Sequence, residues 1–150
     1  MKTTVNQINA KLNEIATAHK QIKSYFWGDF LRAFKESELD YPLMCCYITP
    51  TVIFNKNVST VPINVLICDK IYKDWSNLND VESDTLDIAN QIYQIVRQHP
   101  KWQELGTVTS CNVPTKFIDQ GGDEVAGYVM QINFKFRSDI CFDNLPLENY

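Results

Sequence analysis

The stretch from residue 121 to 137, Gly-Gly-Asp-Glu-Val-Ala-Gly-Tyr-Val-Met-Gln-Ile-Asn-Phe-Lys-Phe-Arg, constrains the fold more than any other part of this chain. Tyr128, Met130, Ile132, Phe134 and Phe136 fall on one parity, and Gln131, Asn133, Lys135 and Arg137 on the other. A period of two is the mark of a strand with one buried and one wetted face. The stretch before it, from Asp119 to Glu124, is glycine-rich and acidic, as suits a hairpin tip that needs positive φ. A sheet is therefore required, and the rest of the chain must supply its partners and its cover.

Those partners are legible upstream. Leu43 to Phe54 is β-branched and apolar, which predicts a strand buried on both faces for part of its length. Asn55-Lys56-Asn57 offers turn chemistry, and Val58 to Tyr72 follows with Val61, Ile63, Val65 and Ile67 on one parity. The pair predicts an antiparallel hairpin, with Pro62 hinting at an edge. Thr107 to Ile118 predicts a further strand, irregular around Pro114.

Two segments carry helical spacing. Thr4-Val-Asn-Gln7 resembles a capping box, and Val5, Ile8, Leu12 and Ile15 then recur on one stripe towards Lys20. From Asp80 onward, Leu86, Ala89, Ile92, Tyr93 and Val96 form a wide apolar face with Ile88 and Ile95 beside it. Glu82, Asp84 and Asp87 crowd its start, Arg97 and Lys101 its end, and Pro100 stops it, a distribution that complements the helix dipole. Between the first helix and the first hairpin, Ser24 to Phe30 is an aromatic cluster read as core packing or a small extra element. Leu31 to Asp40 reads as a loop or irregular helix, and Tyr41-Pro42 ends it in extended geometry. The predicted fold is α+β, in the order α-β-β-α-β-β: an antiparallel sheet of about four strands with both helices on one face. Residues 1–137 form one domain in this reading, and 138–150 an extension, flexible or docked on a neighbour.

Chemistry is harder to find. His19 and His99 stand alone in helical segments, and the five cysteines (Cys45, Cys46, Cys68, Cys111, Cys141) include no C-x-x-C pair. They read as free thiols in a reducing compartment. Phosphate-loop, nucleophile-elbow, zinc-protease and EF-hand spacings are all missing, and the carboxylates have ordinary explanations at a helix start and a hairpin tip. The expectation is a protein that is not an enzyme, with no cofactor and no metal. No apolar stretch is long enough to span a membrane, and the net charge of −4 argues against general nucleic-acid binding. That charge is unevenly placed. Residues 1–35 hold six basic side chains against Glu14 and Asp29, a balance of +4, which leaves −8 on the other 115 residues. A chain so divided can associate head to tail with copies of itself.

The order of motifs then resembles a known family. An N-terminal helix, Tyr41-Pro42-Leu43 leading into a strand, a long hairpin, a helix opening Asp84-Thr-Leu-Asp-Ile-Ala, and a final strand opening Asp123-x-Val-Ala-Gly-Tyr are similar to the tail-terminator and tail-completion proteins of bacteriophages. The resemblance covers residues 1–137 in pattern; the Phe26-Trp27-Gly28-Asp29 segment and the C-terminal extension depart from it. It implies a structural virion protein, made in the host cytoplasm. Such a protein forms a homo-oligomeric ring, hexamer or dodecamer, at the head–tail junction. Its partners are further copies of itself and portal, neck or tail proteins, with DNA passing through the lumen and no catalytic residues. Candidate assembly contacts are Asp119, Asp123 and Glu124 at one hairpin tip and Lys56 at the other. Lys11, Lys20 and Lys23 on the basic N-terminal segment, and Phe142 and Tyr150 in the extension, complete the set. The competing expectation is a small cytosolic adaptor that binds one protein partner through the basic helix or the aromatic segment.

Overall fold

The computed structural model describes residues 4–36, 38–55, 57–111, 115–119 and 124–137. These residues build a mixed α+β fold, a seven-stranded sheet with four helices. The elements run α1 (Val5–Ala18), β1 (Ser24–Trp27), α2 (Phe30–Glu36), β2 (Leu43–Ile48), β3 (Ile53–Asn55) and β4 (Val58–Lys70). They continue α3 (Leu78–Gln98), α4 (Pro100–Gln103), β5 (Thr107–Cys111), β6 (Thr115–Asp119) and β7 (Val125–Arg137).

The centre of the sheet is the β4–β7 pair, antiparallel and in unbroken register from Val58 opposite Arg137 to Lys70 opposite Val125. Thirteen residues in each strand give a ribbon about 44 Å long at the usual rise per residue. Everything else is added to its two sides. On the β4 side lie β2, and beyond its end β3; on the β7 side lie β6 and β5, also end to end. Outside β2, β1 pairs in parallel.

This arrangement corrects the sequence reading in several places. The sheet has seven strands, not four, because two expected strands are each split and Ser24–Trp27 adds another. Leu43–Phe54 breaks between Ile48 and Ile53, and Pro62 of β4 lies opposite the break. The Thr49 N–H donates to the Pro62 carbonyl at 3.0 Å, so the side of Pro62 that lacks a donor faces the gap. The proline therefore marks an interruption in a neighbour of a central strand, not a sheet edge. Thr107–Ile118 likewise divides into β5 and β6, each against a different half of β7. The sheet is mixed, not antiparallel, since the aromatic cluster around Tyr25 forms a parallel strand. Leu31–Asp40 contains a true helix, α2, and α4 adds a fourth.

Helices α1 and α3 pack on one face, as expected. Ile8, Leu12, Ile15 and Ala16 of α1 and Ile88, Ala89, Ile92 and Val96 of α3 meet Val61, Ile63, Val65 and Ile67 of β4 and Met130, Ile132 and Phe134 of β7. Trp102 closes one end of this core, edge-on to Phe134 at 5.9 Å. The capping box at Thr4 and Gln7 is formed. The α3 helix starts at Leu78, two residues earlier than expected. Its preceding Asn77 ties the connection down by donating to the Lys70 carbonyl and accepting from the Tyr72 N–H. Its buried stripe runs through Thr85 while Leu86 is 40 % exposed. The Thr85 hydroxyl donates to the Val81 carbonyl at 2.6 Å, so burying it strands no polar group.

The second face is covered over only half its length. Leu43, Cys45, Leu66, Cys68 and Val125 are buried there beneath Phe26, Phe30, Leu39 and Tyr41, with Phe30 edge-on to Phe117 at 5.6 Å. The wetted face expected for β7 is thus wet only beyond Val129.

Candidate assembly surfaces

Three exposed regions follow from this fold: the open half of the second face, the two lateral edges of the sheet, and a groove between α1 and the end of α3.

The open half-face is polar. Pairing places Thr60, Pro62 and Asn64 of β4 beside Lys135, Asn133 and Gln131 of β7, with Ile53 on one side and Ser110 on the other. The Gln131 amide donates to Asn133 Oδ1 at 3.1 Å, and the Asn133 amide to Ser110 Oγ at 2.7 Å. Thr49, Thr51, Ile53, Thr60 and Thr109 help to line a concavity of about 400 Å³ here. Lys135 and Arg137 are exposed on the same parity, and no acidic residue shares this half-face among the described residues.

The lateral edges are bare of further strands among the described residues. Two rungs of the sheet define them. At one end of the ribbon a rung runs Ser24–Leu43–Cys68–Gly127–Phe117, from β1 to β6. At the other, a rung runs Ile53–Thr60–Lys135–Thr107, from β3 to β5. The sheet is five strands wide at the first and four at the second. Lys20 and Lys23 are exposed in the connection leading into β1, and the Lys23 N–H donates to the Pro42 carbonyl at 2.9 Å, prolonging the rung pattern past Ser24. On the opposite edge Asp119 ends β6, paired with Val125. The Lys23 backbone and the end of β6 thus lie at the same end of the ribbon, on opposite sides. At the narrow end the β3–β4 hairpin exposes two large apolar side chains, Ile53 (57 %) and Phe54 (79 %), on opposite faces.

Glu124 directly precedes β7. It is half-buried, its carbonyl accepts the Ile71 N–H at 2.9 Å, and its Oε2 is buried without a hydrogen-bond partner among the described residues. Its backbone joins the start of β7 to the end of β4. Other acidic groups gather near it. Burial pushes the Asp69 carboxyl up, donation from the Lys70 N–H offsets part of that, and Asp84 adds to the rise. Glu82 Oε1 takes the Lys116 ammonium at 2.6 Å, joining α3 to β6. Asp123, Lys56, Phe142 and Tyr150 lie outside the described residues.

The groove holds Lys11, which is paired with Glu14 at 2.7 Å, together with His19, His99 and Lys101 around Ile15, Ala18, Ile95 and Trp102. His19 Nδ1 accepts the Gln21 N–H at 3.3 Å, which leaves Nε2–H to donate to Gln91 Oε1 at 3.0 Å. The Gln91 amide donates on to Asp87 at 2.7 Å. The two histidines, read from sequence as isolated, therefore line one cleft. None of the described cysteines lines it; Cys45, Cys46 and Cys68 are buried in the sheet. Among the described residues no cluster of three or more metal-ligating side chains forms, and no helix is long and apolar enough to cross a membrane.

Neither a protein-family model nor a curated protein matches this chain.

Proposed function

We propose that this chain is a non-enzymatic structural subunit of a bacteriophage virion, forming a homo-oligomeric ring at the head–tail junction as a neck, connector or tail-terminator component. The motif order discussed above supports the phage assignment. One observation carries the ring: among the described residues the sheet has two lateral edges bare of further strands and unlike in make-up, with Lys20, Lys23, Asp40, Ile53 and Phe54 exposed on the β1–β3 side and Thr107, Thr109, Ser110 and Lys116 on the β6–β5 side. Two unlike, complementary patches on one subunit give heterologous contacts, which close into rings when the rotation between neighbours permits. Self-pairing of like edges is disfavoured at the wide end, where lysine would meet lysine.

In this reading the portal, neck and tail proteins contact the rims, and DNA passes the lumen without sequence-specific contact. Native mass spectrometry and negative-stain imaging of the purified protein test the assembly, and peptide mapping of purified virions tests the location. A ring of defined subunit number in both supports the proposal. A protein that stays monomeric at high concentration and is absent from virions overturns it.

A further inference from the structure

We infer that the groove between α1 and the end of α3 is a binding site for a small apolar monoanion, an aliphatic or aromatic carboxylate, held through His99 and Lys101. The site stands apart from the ring reading and does not depend on it.

Helices α1 and α3 both end at this groove, and they end in the same way. His19 and His99 are their C-caps, each with extended backbone. Each donates its backbone N–H to the carbonyl four residues back, Ile15 and Ile95, at 2.9 Å. The imidazoles then turn back on the chain: Nδ1 of His19 accepts the Gln21 N–H and Nδ1 of His99 the Lys101 N–H, both at 3.3 Å. A ring nitrogen that accepts carries no proton, so both rings are neutral with the proton on Nε2. They differ in what that proton does. His19 gives it to Gln91 Oε1 at 3.0 Å, whereas the His99 Nε2–H has no acceptor among the described residues.

The charges of the groove nearly cancel. Lys11 is paired with Glu14 at 2.7 Å, and both imidazoles are neutral. That leaves the Lys101 ammonium, which pairs with no acid among the described residues. One positive charge and two sets of unused donors therefore stand two residues apart, at the cap and first turn of α4. Both call for an acceptor, and a single carboxylate supplies it while balancing the charge. A second anionic group is disfavoured, because the C-terminal ends of α1 and α3 carry partial negative charge.

The remaining lining is apolar: Ile15, Ala18, Ile95 and Trp102. Trp102 is itself buried and edge-on to Phe134, so the core fixes this part of the lining. Size separates a small molecule from a peptide helix. The α1 residues of the lining run from Lys11 to His19, about 12 Å at the helical rise. The space is about 400 Å³, whereas a helix of that length and about 10 Å across fills roughly 900 Å³. Clefts of this size, mainly apolar with a few polar groups, are the kind that take small molecules.

Octanoate and naphthalene carboxylate are the probes, with octanamide as the uncharged control, each titrated into the full chain and followed by NMR of its backbone and indole N–H groups. The acids should give saturable shifts at the Trp102 indole and the Lys101 amide with Kd on the order of 1 mM, and octanamide should bind about fivefold more weakly. Lys101→Gln should lower octanoate to the affinity of octanamide and leave octanamide unchanged, a split that a merely structural role for Lys101 does not produce. Ala18→Phe, at an exposed position on α1, should fill the groove and abolish binding of both while the rest of the spectrum stays that of the folded protein. Shifts that do not saturate by about 10 mM, shifts centred away from α1 and α4, or equal affinity for acid and amide overturn the site. So does acid binding that survives Ala18→Phe. Protection of the groove by hydrogen exchange on assembly, in protein that binds none of the probes, assigns it to a neighbouring subunit and overturns the site as well. Native mass spectrometry reads the ring separately, so none of these results bears on it.

Discussion

Replacing Gly127 by alanine tests the central claim of the fold, that β4 and β7 form one rigid ribbon. Gly127 sits between Cys68 on β4 and Phe117 on β6. A Cβ added there would lie 1.9 Å from the Ile67 carbonyl oxygen and 2.8 Å from Cys68 Cα. Ordinary carbon–oxygen contacts begin near about 3.3 Å, so the strands must part by more than about 1 Å at this rung. Both neighbours are backbone atoms held in ladders on either side, and no side chain can swing away. Parting them weakens about two ladder hydrogen bonds at roughly 1 kcal/mol each, and the strain of overpacking adds about 1–3 kcal/mol. The expected loss is therefore about 3–5 kcal/mol, a large share of the 5–15 kcal/mol typical of a domain. Urea unfolding followed by tryptophan fluorescence measures it, and thermal unfolding should shift by on the order of 10 °C. Gly106→Ala is the internal comparison. Its Cβ would lie 2.5 Å from the Lys135 carbonyl, yet Gly106 occupies a connection between α4 and β5 that can yield, so its loss is smaller. A Gly127→Ala protein within about 1 kcal/mol of wild type, or less harmed than Gly106→Ala, refutes the reasoning.

Other consequences follow from the core. Trp102→Ala removes a buried indole packed edge-on against Phe134 and should cost about 3–5 kcal/mol, measured by the same urea titration; a loss below about 1 kcal/mol would mean that the end of the core closes without it. Alkaline pH should destabilise the protein. Burial, helped by the negative charge of Asp29, pushes the Cys45 thiol up from 9.0 to about 12, and burial raises Cys46 and Tyr25 as well. A raised folded-state pKa means that this stability is fully present below pH 9 and is lost as pH climbs through 12. The urea midpoint should fall between pH 7.5 and 10.5, and fall less in Cys45→Ala; an unchanged wild-type midpoint would show the thiols to be accessible to solvent.

How far the sequence reveals the fold depends on whether a residue's partner is local. The even-numbered residues of β7 alternate without exception, so the strand and its buried face are legible from Val125 to Arg137. The opposite face misleads, because Val125, Gly127 and Val129 are small or apolar and only the cover from Phe26, Phe30 and Phe117 explains them. Periodicity selects Leu86 for the core over Thr85, since it ranks by polarity and cannot register that a hydroxyl bonded to the carbonyl one turn back is cheaply buried. Pro114 announces irregularity, but that β5 and β6 share one partner depends on β7 being long enough for both. The parallel pairing of β1 leaves no local trace at all. For the candidate surfaces, charge division is visible in residue counts, whereas which strands become edges is a property of the assembled sheet.

The step from charge division to assembly turns on the order in which strands are added. The sheet grows outward from β4 and β7, which come from the middle and the end of the chain, and the first strand is placed outermost on one side. The described part of the N-terminal basic segment, from Lys11 to Lys35, is thereby carried to the β1 side instead of into the middle. The helix and hairpin that hold Asp80, Glu82, Asp84 and Asp119 pack on the β7 side. A polarity written along the chain thus becomes a polarity across the molecule, perpendicular to the strands. Dipoles of that orientation favour copies set side by side in one rotational sense over copies stacked end to end. In the proposed ring the sheet edges meet in the same side-by-side geometry, so long-range charge would orient the encounter between copies.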